Sequence, residues 1–286
     1  MPGLHQILEY DVLDTLGYGA RSTIFAVKDQ DRKLYALKRV IRESAKDERF
    51  LDQAIHEHEV ASRFSHPHLR RSFKVIRQRK LLRTSEILVL MEMVDGHTFE
   101  QYQPVNYIDL CELCGQVAQG LDVMHQAGYI HADIKPNNII VTPSRQIKII
   151  DFGQSCLDGT IKERIQGTPD YIAPEQVKRR KITPSTDVFN LGATMYWMLT
   201  RQHVPTLIPK PVDKIKRKGE QRARRGRDPD CKTPSEINPD IPSALSVLIM
   251  DCIRTLPKNR PASMAKVDER LQLAIAQMQR RNQQSA

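Results

Sequence analysis

The chain has 286 residues, 40% of them hydrophobic and 27% charged, which is the balance of a globular chain and not of a disordered or fibrous one. Basic residues outnumber acidic ones by 44 to 34, and the net charge of +10 admits nucleic acid, anionic lipid, nucleotide or acidic protein partners without choosing among them. No run of about 18 apolar residues occurs, the first residues lack the pattern of a signal peptide, and five scattered cysteines do not form a disulfide framework, so a reduced, cytoplasmic protein without a membrane span is expected.

In chain order, short runs of β-branched and aromatic residues predict strands at Tyr10–Leu16, Thr23–Val27, Leu34–Val40, Phe73–Ile76 and Ile87–Met93. One helix, Arg49–Phe64, interrupts them and stops before Ser65-His66-Pro67, because proline restricts the residue before it. Beyond the Asp95-Gly96 turn the pattern becomes helical: Asp109–Ala127, Thr186–Thr200, Ala244–Arg254 and Met264–Gln279, the last with Ser263 as N-cap. Cys111 and Cys114 fall within the first of these helices and read as two small residues on it, not as a zinc or redox pair. Strands followed by helices suggest an α+β arrangement or separate domains, with the Asp95-Gly96 turn as the joint between residues 1–95 and 96–286. The biased segment 214–227, KIKRKGEQRARRGR, reads as a solvated loop.

Three groups of residues carry chemistry. Gly17-Tyr18-Gly19, between two predicted strands, would let the backbone approach a polyphosphate, although alone such a turn is only a hairpin. Lys38 sits inside an apolar strand, where an unpaired ammonium is costly, so it requires an anion: a phosphate, a carboxylate from Glu57 or Glu59, or both. His131-Ala132-Asp133-Ile134-Lys135-Pro136-Asn137-Asn138, with Asp151-Phe152-Gly153 after the next strand, supplies a base, a cation and two oxygen ligands suited to magnesium. Phosphoryl transfer needs that set, because it consists mostly of aligning an acceptor hydroxyl and neutralising phosphate charge.

With Gly167-Thr168-Pro169-Asp170-Tyr171-Ile172-Ala173-Pro174-Glu175 in the same order, the chain resembles the protein kinase superfamily, serine/threonine type, including bacterial eukaryotic-like kinases, from about Tyr10 to Leu273. The resemblance implies a bilobal fold with a β-rich nucleotide-binding lobe and a helical lobe. It implies an ATP-dependent protein serine/threonine kinase that uses Mg2+, with Mn2+ as a substitute, and that phosphorylates itself as well as protein substrates. By position, Asp133 orients the acceptor hydroxyl, Lys135 stabilises the transferring group, and Asn138 and Asp151 hold the metal. Lys38 grips the α and β phosphates with Glu57 as its partner, and Glu59 is left at the surface. Leu16, Gly17 and Gly19 cover the nucleotide, Ile24, Ala36 and Ile140 enclose the adenine, Met91 is the gatekeeper, and the backbone of Glu92 and Val94 bonds the base edge. Glu175 and Arg260 are implied to form a buried structural ion pair.

Two departures stand out. Ser22 occupies the place of the usual third loop glycine and should stiffen the loop. Ala132 replaces the arginine that usually pairs with an activation-segment phosphate, so activity independent of that phosphate is expected. Cys156 reads as a small loop residue and not a reactive thiol. Retention of the whole catalytic set argues against a pseudokinase scaffold, and the G-T-P-D-Y-I-A-P-E segment argues against a small-molecule phosphotransferase. The charge is concentrated in two stretches, with seven basic and no acidic residues over Arg70–Arg83, and eleven basic and four acidic over Arg201–Lys232. The absence of aromatics in segment 214–227 disfavours nucleic acid and leaves an acidic protein substrate or partner as the expected contact.

Overall fold

The computed structural model describes residues 6–19, 21–80, 83–208 and 230–285, so the biased segment 214–227 lies outside the described residues. Two compact units divide it: one comprises 1–96 together with 150–153, and the other 97–149 together with 154–286.

The first unit is built on a six-stranded antiparallel sheet. Its strands are β1 (Gln6–Ile7), β2 (Tyr10–Gly19), β3 (Ser22–Lys28), β4 (Leu34–Ile41), β5 (Ser72–Lys80) and β6 (Arg83–Glu92), in the order β1-β2-β3-β4-β6-β5. Side chains alternate across the pleat. Ala36, Val40, Val89 and Met91 share one face with Ile24, and helix α1 (Glu48–Ala61) covers that face with Leu51 and Ala54. Val27, Leu37, Leu88 and Leu90 form a second cluster, closed by Ile7 and Tyr10. A capping box starts the 3-10 turn Ala45–Asp47 that leads into α1: the Ser44 N–H donates to Asp47 Oδ2 at 2.7 Å, which satisfies an amide that the turn cannot.

The predicted strand Phe73–Ile76 is longer than expected, Ser72–Lys80, and forms a hairpin with β6. Apolar patterning missed its outer half because β5 is an edge strand. Its exposed Arg77, Arg79 and Lys80 are the kind of charges that discourage pairing with another sheet.

In the second unit the long helices are α2 (Tyr107–Gln126), α4 (Pro184–Thr200), α6 (Ser243–Cys252) and α7 (Met264–Ser285), with one-turn helices α3 (Pro174–Val177) and α5 (Pro234–Ile237). Short strands β7 (His97–Thr98), β9 (Ile139–Val141) and β10 (Ile147–Ile149) form a small sheet, and β8 (Tyr129–Ile130) pairs with β11 (Cys156–Leu157). Buried residues occur all round α4, among them Val188, Phe189, Leu191, Ala193, Met195 and Tyr196, as suits a central helix. Gly192 permits its close approach to α6, since a Cβ there would lie 2.5 Å from the Cβ of Cys252. Cys111 and Cys114 are both buried on α2, and burial pushes the Cys111 thiol up to about 12. Ser263 Oγ accepts from the Lys266 N–H at 3.2 Å, as an N-cap does. Among the described residues, no helix is long and apolar enough to cross a membrane.

Glu175 and Arg260 meet in a buried two-point pair, with Nη1 on Oε1 at 2.7 Å and Nη2 on Oε2 at 2.9 Å. Thr186 donates to the same carboxylate at 2.9 Å, and the guanidinium also donates to the carbonyls of Arg254 and Ser185, each at 2.7 Å. One guanidinium thereby ties α3 to the start of α4 and to the turn after α6. Arg260→Leu should destabilise the second unit by about 3–5 kcal/mol, because it strands a buried carboxylate. Urea unfolding of the variant beside the parent measures this loss.

Candidate active site

In the first unit, β3 and β4 place Ile24, Ala36 and Lys38 on one sheet face, since Ile24 pairs with Lys38 across the strands. Met91, 1% exposed, pairs with Ala36 from β6 and belongs to the same face. Lys38 Nζ donates to Glu57 Oε2 at 2.6 Å, so the strand lysine has the carboxylate it requires, while Glu59 is exposed. Burial works against the charge on Lys38, but the attraction of Glu57 and then of Asp151 outweighs it, and the pKa is raised. Asp151 has φ +65°, in the left-handed region, and its carboxylate accepts from the Gly153 N–H at 3.4 Å. Glu92 donates its N–H to the Arg71 carbonyl at 2.9 Å, and Val94 follows the end of β6, half-buried.

The glycine turn is the tip of the β2–β3 hairpin, with Leu16 exposed and Gly19 opposite Ser22. A Cβ on Gly19 would lie 2.5 Å from Ser22 Oγ, so any larger residue there would turn that hydroxyl aside. Arg21 is at φ +135°, a conformation that disfavours a side chain. Its guanidinium pairs with Glu43 and, at 3.3 Å, with Asp47, which holds the hairpin tip to the entry of α1.

In the second unit, the catalytic loop runs from β8 to β9 and converges on Asp133. Its Oδ1 accepts from the Thr168 N–H at 3.0 Å and from the Thr168 hydroxyl at 2.9 Å, and Lys135 Nζ lies 3.1 Å from Oδ2. Lys135 also donates to Thr168 Oγ1 at 2.8 Å. Asn138 Nδ2 donates to the Asp133 carbonyl at 2.9 Å, which fixes the side chain so that its carbonyl oxygen is the atom available to a hard cation. Ile140 belongs to this unit, half-buried on β9. The loop is held from beneath by Asp187, which is fully buried. It accepts from the main-chain N–H groups of His131 and Ala132 at 2.9 and 2.7 Å and from His125 Nε2 at 2.8 Å. Aiming two successive amides at one carboxylate bends Ala132 to φ +62°, and the charge-assisted bonds offset the roughly 1–2 kcal/mol of strain.

A profile of the protein kinase domain matches residues 10–271. The chain belongs to the protein kinase domain family. It is 28% identical over 260 residues to a probable serine/threonine-protein kinase of Clostridium acetobutylicum, covering 88% of this chain and 37% of the relative. It is also 28% identical over 281 residues to the serine/threonine-protein kinase pkn3 of Myxococcus xanthus, covering 92% and 49%, and 28% identical over 259 residues to the Aurora kinase of Saccharomyces cerevisiae, covering 88% and 66%. The chain thus spans about a third to two thirds of the length of the curated relatives it matches.

In this kinase domain the segment after Asp151 is held by protein groups along its length. Cys156–Leu157 pairs with β8, the Gly159 N–H donates to the Ile182 carbonyl at 2.8 Å, and the Ile182 N–H donates to the Thr160 carbonyl at 2.9 Å. Arg179 donates to the Glu163 carbonyl at 3.0 Å. Gln176 then reaches both the Ala132 carbonyl at 2.8 Å and the Gln166 carbonyl at 3.3 Å. Burial pushes the Cys156 thiol up, which opposes reactivity.

Three residues of this network were not among the candidate site residues: Thr168, Asp187 and Gln176. Thr168 lies in the G-T-P-D-Y-I-A-P-E segment and Asp187 opens Asp187-Val188-Phe189-Asn190-Leu191-Gly192, which also resembles the family, and that is the signal that could have placed them. Gln176 has no local signal, because its partners are 44 and 10 residues away. Gln176→Leu should cost about 1–3 kcal/mol per carbonyl left unsatisfied and loosen the activation segment. Limited proteolysis should then cut within residues 160–167 faster than in the parent, with α4 and α7 still protected.

Proposed function

We propose that this chain is an ATP-dependent protein serine/threonine kinase that transfers the γ-phosphoryl group to aliphatic hydroxyls of proteins, itself included. The observation that carries the reading is the Asp133 cluster. One carboxylate oxygen is aimed by Thr168 and the other is neutralised by Lys135, which is the pairing needed to orient a hydroxyl and stabilise the transferring charge. Asp133 holds the acceptor hydroxyl in line, Lys135 meets the transferring phosphoryl group, and Lys38, fixed by Glu57, takes the α and β phosphates. Leu16, Gly17 and Gly19 cover the nucleotide; Ile24, Ala36, Met91 and Ile140 contact the adenine, whose edge bonds the backbone of Glu92 and Val94. A retained catalytic set argues against a pseudokinase.

Membership of the family supports ATP with a divalent cation in general, and magnesium is the specific choice here. Asn138 and Asp151 offer oxygen donors only, which suit a hard cation. When bound, the cation would neutralise phosphate charge. Manganese should substitute, since it accepts the same donors. A cytoplasmic location and acidic protein substrates complete the proposal, the latter supported by the two basic stretches.

Purified protein with labelled ATP and magnesium should transfer label to serine or threonine, and Lys38→Met and Asp151→Asn should each abolish the transfer. Equal labelling by all three proteins would refute the assignment. Phosphatase treatment should leave the rate unchanged, because the activation segment is tied by main-chain and side-chain bonds that need no phosphate; loss of activity restored by Thr160→Glu would refute that point. Neutralising Lys216, Arg217, Lys218, Arg224 and Arg225 together should preserve ATP hydrolysis and weaken phosphorylation of an acidic protein at low salt. Unchanged kinetics on that protein, measured across a salt series, would remove the basic segment from substrate docking.

A further inference from the structure

Arg70 begins the basic stretch that composition assigns to a docking surface, yet the structure buries it. It is 7% exposed, whereas Arg71, Lys74 and Arg77 beside it are exposed. It sits in the connection between α1 and β5, and its Nη2 donates to Glu57 Oε1 at 3.1 Å. Lys38 takes the other oxygen of the same carboxylate at 2.6 Å. Glu57 is 1% exposed, so a single buried carboxylate holds two cations, one on each oxygen. Stability alone does not require a guanidinium here. The position adjoins the fully buried Leu69, and exchanging a whole buried ion cluster for apolar side chains is often neutral or stabilising, although removing one member alone is costly.

The division of the carboxylate has a functional consequence. A lysine that must serve both a helix carboxylate and an incoming phosphate leaves the carboxylate short of charge whenever it turns to the phosphate. With Arg70 on the second oxygen, Glu57 keeps a partner throughout. The positive charge of Arg70 also opposes the attraction that Glu57 and Asp151 exert on Lys38. We propose that Arg70 is a positioning residue for phosphoryl transfer: it keeps Glu57, and with it α1, docked on the sheet whether or not nucleotide is present, and leaves Lys38 free to engage phosphate. The proposal rests on the kinase reading for its catalytic consequence and on the first unit alone for its structural one.

The test compares the full chain with Arg70→Leu, Arg70→Lys and Lys38→Met, by hydrogen exchange of the 48–61 amides with and without ADP and magnesium, and by kcat and KM for ATP. In the parent, α1 should be equally protected in both states. In Arg70→Leu the protection should fall without nucleotide and recover in part with ADP. Its kcat should drop about 10- to 100-fold, the worth of one charge-assisted hydrogen bond. Arg70→Lys should recover most of that loss. Lys38→Met, although inactive, should keep α1 protected, because Glu57 retains Arg70; this arm stands even if Arg70→Leu does not fold. The proposal is overturned if α1 loses protection in Lys38→Met, if Arg70→Leu loosens the sheet and α1 alike, or if its kcat is that of the parent. Absence of label transfer by the parent would refute the kinase reading, while the exchange pattern would still decide whether Arg70 holds α1.

Discussion

The catalytic loop depends on a carboxylate that never meets solvent. Asp187 is fully buried at the start of α4 and collects the amides of His131 and Ala132 together with the His125 ring. Each of those amides would otherwise be a buried donor without an acceptor, so the carboxylate sets the path of the main chain just before Asp133. A helix side chain is a firmer anchor than a loop contact, because α4 is itself packed on all sides. The orientation of Asp133, and through it of Lys135 and Asn138, is thus an output of how α4 is buried. The Glu175–Arg260 pair secures the same helix start through Thr186 and the Ser185 carbonyl.

The two units solve the problem of buried charge in related ways. Lys38 and Asp133, the two charged groups proposed for the chemistry in each unit, both have a partner of opposite charge and a further polar or charged neighbour. Lys38 has Glu57 and the influence of Asp151; Asp133 has Lys135 and two donors from Thr168. Desolvation alone would push Lys38 toward its neutral form, and a neutral Lys38 could not do the work proposed for it.

Much of this was legible in the sequence where chemistry and chain order coincide. Asp133, Lys135 and Asn138 fall within six residues and contact one another, and Lys38 announced its need for an anion by sitting in an apolar strand. The long strands and helices followed from periodicity, with ends displaced by a few residues. Strands β7, β8 and β11 were not separable because two residues carry no period, whereas β10 was expected before Asp151. The edge strand β5 was underestimated because its outer half is polar. The burial of Arg70 was not legible because composition counts charges without regard to their partners, and its partner Glu57 is on α1. The role of Gln176 could not be read locally, since it reaches Ala132, 44 residues away.

The substitution Ala132 and the buried Arg70 point the same way. An arginine at position 132 would have needed an external phosphate to compensate its charge, whereas alanine needs nothing, and its carbonyl is taken by Gln176 from the chain itself. A carboxylate at Glu57 held only by Lys38 would be docked only as firmly as that lysine allows, whereas Arg70 supplies a second hold from the same unit. In both places a contact that could have been made conditional on phosphate or nucleotide is made by the folded chain. Ordering of the activation segment and docking of α1 then draw on folding energy rather than on ligand binding. The free-energy gap available for switching is correspondingly small, since a signal can shift an equilibrium only by its differential affinity for the two states.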